Sequence, residues 1–183
     1  GIAVFVRSTS DYPEAREDLL RLAPDGVHMP GLDADPQVAA RQAAELRAAG
    51  VRWITGYKDF FTRRPADLQQ MYDNWADHLF EIARSEGGPE TWAQRGPDGE
   101  ILLAYSDTRY MMCPSNPDWR AISREITRNL AGGEVNGVMC DNPMCECYCE
   151  HCRAAFDAWM RAQDYEEVAR DLFCLLYTSD AAD

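Results

Sequence analysis

The chain has 183 residues, 46% of them apolar, enough for one domain with a real core. Its 31 acidic and 18 basic side chains leave a formal charge of −13, which argues against nucleic acid or an anionic membrane surface as partner, since both call for a basic patch. No apolar run approaches the roughly 18 residues of a membrane-spanning helix.

The sequence opens at Gly1 and runs straight into Ile2-Ala3-Val4-Phe5-Val6, a short buried strand over residues 2–7. With no initiator Met and no signal-type segment ahead of it, this start reads as a cut through a longer chain. Residues 8–32 read as loop, punctuated by Pro13, Pro24, Gly26, Pro30 and Gly31. Val38, Ala39, Gln42, Ala43 and Leu46 follow a 3.6-residue period and predict a helix over 36–49. Asp35 is its N-cap, Pro36 its first helical residue and Gly50 its stop. A strand follows over 51–57, so the order helix, Ala-Gly, β-rich run marks a βα unit feeding a parallel sheet.

Leu68, Met71, Trp75, Leu79 and Ile82 predict a second helix over 65–86, ended by Gly87-Gly88-Pro89. Residues 89–116 hold a turn at Pro97-Asp98-Gly99 and a short strand within 101–105. Asn116 caps a third helix over 117–131, a strand over 135–141 ends on Asp141, and a fourth helix spans 150–162 with Phe156 and Trp159 inward. Residues 172–183 resemble a translated sequencing-adapter read-through at the end of a metagenomic reading frame. The expected division is therefore a partial domain over 1–172 and a non-native tail over 173–183.

Of seven cysteines, four crowd between Cys145 and Cys152. A disulfide scaffold spreads its cysteines to close loops, so clustering points to metal, and with it to a reducing compartment such as the cytoplasm. Nothing else in the sequence fixes a location. Cys147-Tyr148-Cys149-Glu150-His151-Cys152 is a C-x-C-x-x-C run that brings three thiolates to one point as the chain enters a helix. Cys113 is the best fourth donor, with Cys145 and His151 as rivals. Four thiolates leave no place for water, so the expected cofactor is a structural zinc ion. Free thiols or a redox pair are the competing reading.

Asp141 closes a parallel strand, the place where αβ-barrel enzymes put catalytic groups. Its competing reading is a turn cap. Aromatic and polar residues after the strands, Tyr57, Lys58, Asp59 and Phe60 and then Trp92, Gln94 and Arg95, suit sugar rings and hydroxyls, and His28 reads as a structural turn or the rim of a cleft. Trp75, on a helical stripe, reads as core. The carboxylates Glu14, Glu17, Asp18, Glu166 and Glu167 read as solvated surface.

Several of these segments are similar to known families. His28 to Leu32, the Trp-Ala-Gln-Arg-x-x-Asp-Gly of 92–99, Cys113-Pro114-Ser115-Asn116-Pro117 and Gly137 to Cys152 resemble the sixth hypothetical glycosyl hydrolase family. The cysteine pattern also looks like glycoside hydrolase family 42, the zinc-containing β-galactosidases. The resemblance implies an α/β fold, the N-terminal half of a (β/α)8 TIM barrel with a Cys-rich zinc loop. It places zinc on Cys113, Cys147, Cys149 and Cys152. It implies a carbohydrate substrate, with Tyr57, Trp92, Arg95 and Asn142 binding sugar and Asp141 as one catalytic carboxylate. Family 42 carries Asp-Asn-Glu here with Glu as acid/base, whereas this chain reads Asp141-Asn142-Pro143. The second carboxylate of a retaining enzyme would lie beyond residue 172. A non-catalytic carbohydrate-binding barrel and a zinc-thiolate interaction or redox module are the alternatives. The sugar and the assembly, a homo-oligomer included, stay open.

Overall fold

The computed structural model describes residues 5–7, 17, 21–22, 24–30, 36–78, 80–84, 86–141 and 144–163. Its main sheet has four parallel strands in the order β1 (Phe5–Arg7), β2 (Gly26–Pro30), β3 (Trp53–Asp59) and β7 (Gly137–Asp141). Helix α1 (Pro36–Ala48) connects β2 to β3. Helix α3 (Pro117–Gly132) precedes β7, and helix α4 (Glu150–Ala162) follows it. A smaller antiparallel sheet, β4 (Thr62–Arg63), β6 (Arg109–Met111) and β5 (Leu103–Ala104), stands between β3 and α3 in the chain. The chain is thus mixed α/β with a parallel sheet. Among the described residues that sheet stays open, so no closed barrel is formed.

The parallel units arise where the sequence indicates. Gly50 takes φ +94 after α1, a left-handed turn that favours glycine, and its N–H reaches Arg47 O at 2.9 Å. Asn136 then fixes β7 beside β3. Its carboxamide oxygen accepts from Ile54 N at 2.8 Å, while its own N–H donates to Ile54 O at 2.7 Å. Val27 and Ile54 bury one face of the sheet against Ala43 and Leu46 of α1. Gly56 lies under α3, where a Cβ would meet Leu130 at 3.3 Å. Side chains alternate across a strand, so Trp53, Thr55 and Asp59, and in β7 Gly137, Met139 and Asp141, fall on the opposite face. That face is open enough to leave Trp53 53% and Met139 41% exposed.

Four expectations shift. Residues 26–30, read as loop, form β2, because hydrogen bonding from β1 and β3 on both sides outweighs the flanking prolines. The strand read at 51–57 runs 53–59, with Val51 buried in the turn before it. The helix read to 86 ends early: α2 is Pro65–Asp73, capped by Asn74, and a 3-10 turn covers Trp75–His78. The apolar period beyond Asn74 is satisfied by a hook instead, in which the Trp75 indole donates to Ile82 O at 3.1 Å and meets Phe80 edge-on at 4.7 Å. On α4, Met160 is the buried residue and Trp159 is 56% exposed. The tail over 173–183 lies outside the described residues.

A candidate metal centre

The loops on either side of α3 converge on four thiols. Cys113 stands in the turn that leads into α3. Its N–H is fixed by Trp92 O at 2.9 Å, and its carbonyl accepts from Asn116 N at 3.2 Å. Asn116 caps α3 through Trp119 N at 3.0 Å and donates to Thr91 O at 3.0 Å. Cys147 comes from the loop after β7, Cys149 is the N-cap of α4, and Cys152 lies in its first turn. The four sulfurs all fall within 4.8 Å of one another. Cys113 Sγ is 3.6 Å from Cys149 Sγ and 3.5 Å from Cys152 Sγ. A tetrahedral thiolate site with Zn–S of about 2.3 Å places its sulfurs about 3.8 Å apart, so these four residues could hold a metal ion.

The electrostatics point the same way. Cys147 is pulled down to about 5, first by the hydrogen bond from Cys113, and also by the N–H groups of Arg95 and Cys149, against the effect of burial. Those amides lie 3.3 and 3.4 Å from its sulfur. Cys113 is pushed far up, first by its hydrogen bond to Cys147 and then by burial. Cys152 is pushed up to about 12, mainly by burial and by the charges of Cys147 and Cys149. A thiolate at Cys147 is thus favoured, and its charge opposes thiolates at Cys113 and Cys152. A bound cation is what removes that opposition.

Gln94 holds the cysteine loop in place. It is fully buried, and its carboxamide donates to Met112 O at 3.0 Å and Met144 O at 2.8 Å while accepting from Glu146 N at 2.8 Å. Beside it, Arg95 O accepts from Tyr148 N at 2.7 Å. Gln94→Ala removes the partner of three main-chain groups. Each orphaned buried group costs about 1–3 kcal/mol, so urea unfolding should show a loss of about 3 kcal/mol. Metal affinity should fall roughly 10–100-fold, as when an outer partner of a metal ligand is lost.

The structure distributes the remaining candidate residues differently. Trp92 is 0% exposed, packed on Trp119 at 6.0 Å and against Tyr72 and Trp75, so its ring offers no face to a sugar. Arg95 turns its guanidinium onto Glu90 O at 2.9 Å and Gly99 O at 3.4 Å, bracing the turn beside the thiols. Tyr57 sits in β3 opposite Pro30 and Met139, and its side chain lies outside the described residues, as does Asn142. Asp141 is half-buried at the end of β7, in register with Asp59. Cys145 and Cys140 are exposed and outside the four-thiol group. His151 is also outside it and meets Glu150 at 3.7 Å.

Two sheet residues that the sequence singles out, His28 and Asp59, make defined contacts. His28, on β2, shares a 2.5 Å hydrogen bond with Thr55 of β3 through Nδ1. The Asp59 carboxylate accepts from Phe61 N at 3.0 Å, from Thr62 N at 2.8 Å and from the Thr62 hydroxyl, and pairs with Arg109 at 3.3 Å. Only the Asp59-Phe60-Phe61-Thr62 spacing, that of a turn closed by its own Asp, could have shown this.

No family model matches the sequence, and no curated protein matches it. Among solved structures the chain is similar to a noncanonic maltogenic alpha-amylase from Thermotoga neapolitana, at 9% identity and a TM-score of 0.49. The alignment covers 89% of this chain and 44% of that one, so the chain spans less than half the length of that protein.

Proposed function

We propose that this chain is part of a glycoside hydrolase of the (β/α) type, with a structural zinc ion on Cys113, Cys147, Cys149 and Cys152. The observation that carries the reading is the placement of Asp141. It closes the last strand of the parallel sheet at the carboxyl edge, and the cysteine loop leaves from the same strand end. Open α/β sheets bind ligands outside the carboxyl ends of their strands. The resemblance of 113–117 and 147–152 to zinc-containing glycosidases supports the substrate class.

In this reading zinc supplies no chemistry to the reaction, since four thiolates leave it no open position. The centre ties the loop after β7 to the turn before α3. Asp141 acts as one of the two carboxylates that flank a glycosidic bond, and a carboxylate from a later strand completes the pair. His28 and Thr55, on the sheet face that also carries Asp141, are placed to bond sugar hydroxyls.

In a polypeptide that contains this chain and hydrolyses a glycoside, Asp141→Asn should lower kcat by roughly 10³-fold or more while leaving folding and metal content unchanged. Unaltered hydrolysis of every cleaved glycoside would remove Asp141 from the mechanism. Pro143, where family 42 has its acid/base Glu, favours a second reading, a carbohydrate-binding barrel without catalysis. In that case Asp141→Asn weakens sugar binding in a protein that turns nothing over.

A further inference from the structure

The small antiparallel sheet is seated at the carboxyl end of β3, the sheet edge where Asp141 lies. β4 begins at Thr62, just past Asp59, and Met112 N, just past β6, donates to Phe61 O at 2.7 Å. The turn between β5 and β6 carries Tyr105, which is 51% exposed. Tyr105, Ser106 and Asp107 take φ of 54, 54 and 63, a left-handed run that residues with side chains adopt only where their surroundings impose it. Two contacts hold it. The Thr108 hydroxyl donates to Tyr105 O at 2.7 Å, and the Arg109 guanidinium lies over the Tyr105 ring, 5.2 Å from its centroid. Arg109 is fixed in turn. Its Nη1 donates to the Asp59 carboxylate and to the Thr62 hydroxyl, each at 3.3 Å. Asp59 is the register partner of Asp141 on the neighbouring strand. A short series of contacts therefore links the exposed ring to the strand end that carries the candidate carboxylate.

We infer, on the glycoside hydrolase reading above, that Tyr105 and Arg109 form a subsite for a neutral sugar residue of the substrate, beside Asp141. Arg109 covers one face of the ring, and the C–H face of a pyranose packs on the other. The Arg109 side chain is 39% exposed. Its Nε and Nη2 make no hydrogen bond among the described residues and are left to donate to sugar hydroxyls. Charge selects the class of sugar. The Asp59 carboxylate answers the guanidinium, while Asp107 in the same turn and Asp141 on the next strand add two negative charges. The nearby cations Lys58 and Arg63 serve the other side of the sheet, Lys58 buried and Arg63 over the Trp119 ring. A uronic acid or a sulfated sugar would therefore meet repulsion where a neutral sugar meets none.

The test applies the intact chain, over a range of concentrations, to an array of immobilised neutral, uronic-acid and sulfated oligosaccharides. Neutral glycans should retain the chain and the acidic ones should not. Tyr105→Asn removes the ring and supplies a residue that tolerates the left-handed turn, and it should weaken retention roughly tenfold. Tyr105→Phe keeps the ring and should bind within about twofold of the unaltered chain. Because Tyr105 is exposed, both variants should melt as the unaltered chain does. Equal retention of Tyr105→Asn on the same glycan overturns the subsite and leaves the glycoside hydrolase reading in place. Stronger retention on acidic glycans, lost in Tyr105→Asn, overturns the neutral class. Retention on no glycan overturns the subsite and its substrate class together, while hydrolysis by Asp141→Asn decides the catalytic reading separately.

Discussion

Cys113→Ser should strip the chain of zinc and lower its melting temperature steeply. Purified under reducing conditions, the unaltered chain should carry close to one zinc ion, and the variant close to none. Folding free energy is at stake because the four ligands come from two distant segments, the turn before α3 and the loop into α4. Apparent zinc-binding energies in isolated finger peptides are about 10–16 kcal/mol. Here the effect should be smaller, since the chain also has a buried core around Trp92, Trp119, Ile122 and Ile126. A loss of about 4 kcal/mol corresponds to roughly 8–16 °C for a domain of this size. A strong chelator should reproduce the shift, and so should acid, because each ligand thiol must lose its proton to bind and protons compete better as pH falls. Acidification through about 5 protonates even Cys147, whose pKa its hydrogen-bond donors hold low. Cys140→Ser, outside the group, should change neither metal content nor melting temperature. A chain without metal, with every native thiol titratable and Cys113→Ser melting as the unaltered protein does, would end the zinc assignment.

The four-thiol cluster was the most legible part of the sequence for a chemical reason. A C-x-C-x-x-C run brings three sulfurs together locally, so only the fourth thiol depended on tertiary structure, and Cys113 is the one that lies beside them. The helices at 36–48 and 117–132 were legible because their apolar period and their proline starts agree. Strand β2 was not, since Gly-Val-His-Met-Pro has no alternation and becomes a strand only through pairing with β1 and β3. The small sheet was half hidden. Residues 103–104 fall inside the expected strand, but their partner at 109–111 follows a turn in which Tyr105, Ser106 and Asp107 all take positive φ, a choice that no glycine marks. Trp92, Gln94 and Arg95 were read as a sugar-binding group because aromatic, amide and guanidinium side chains in a Gly/Pro-rich loop look the same whether they face a ligand or the interior. The hydrogen bonds that turn Gln94 inward are made to main-chain groups far along the sequence.

The last case has a direct thermodynamic consequence. Trp92→Ala should destabilise the chain by about 3–5 kcal/mol, the usual cost of deleting a large buried aromatic side chain. The indole is fully enclosed, with Trp119, Trp75 and Tyr72 at centroid distances of 6.0, 6.1 and 5.9 Å. Trp159→Ala and Trp53→Ala remove equally large rings that stand 56% and 53% exposed, and each should stay within about 1 kcal/mol of the unaltered protein. Chemical unfolding of the three variants separates a packing role from a platform role, because a sugar platform can be removed without unfolding anything. If Trp92→Ala unfolds at the same denaturant concentration as the unaltered chain, the ring is not the keystone of this core. The same variant should also weaken zinc binding, although Trp92 touches no metal ligand through its ring. Its carbonyl fixes the N–H of Cys113 at 2.9 Å, so a backbone shift that fills the cavity displaces the one ligand that comes from outside the C-x-C-x-x-C run. The aromatic core and the thiol centre are therefore coupled through the backbone around Trp92 and Cys113, and a Trp92→Ala, Cys113→Ser double-mutant cycle should return a non-additive energy of roughly 0.5–3 kcal/mol.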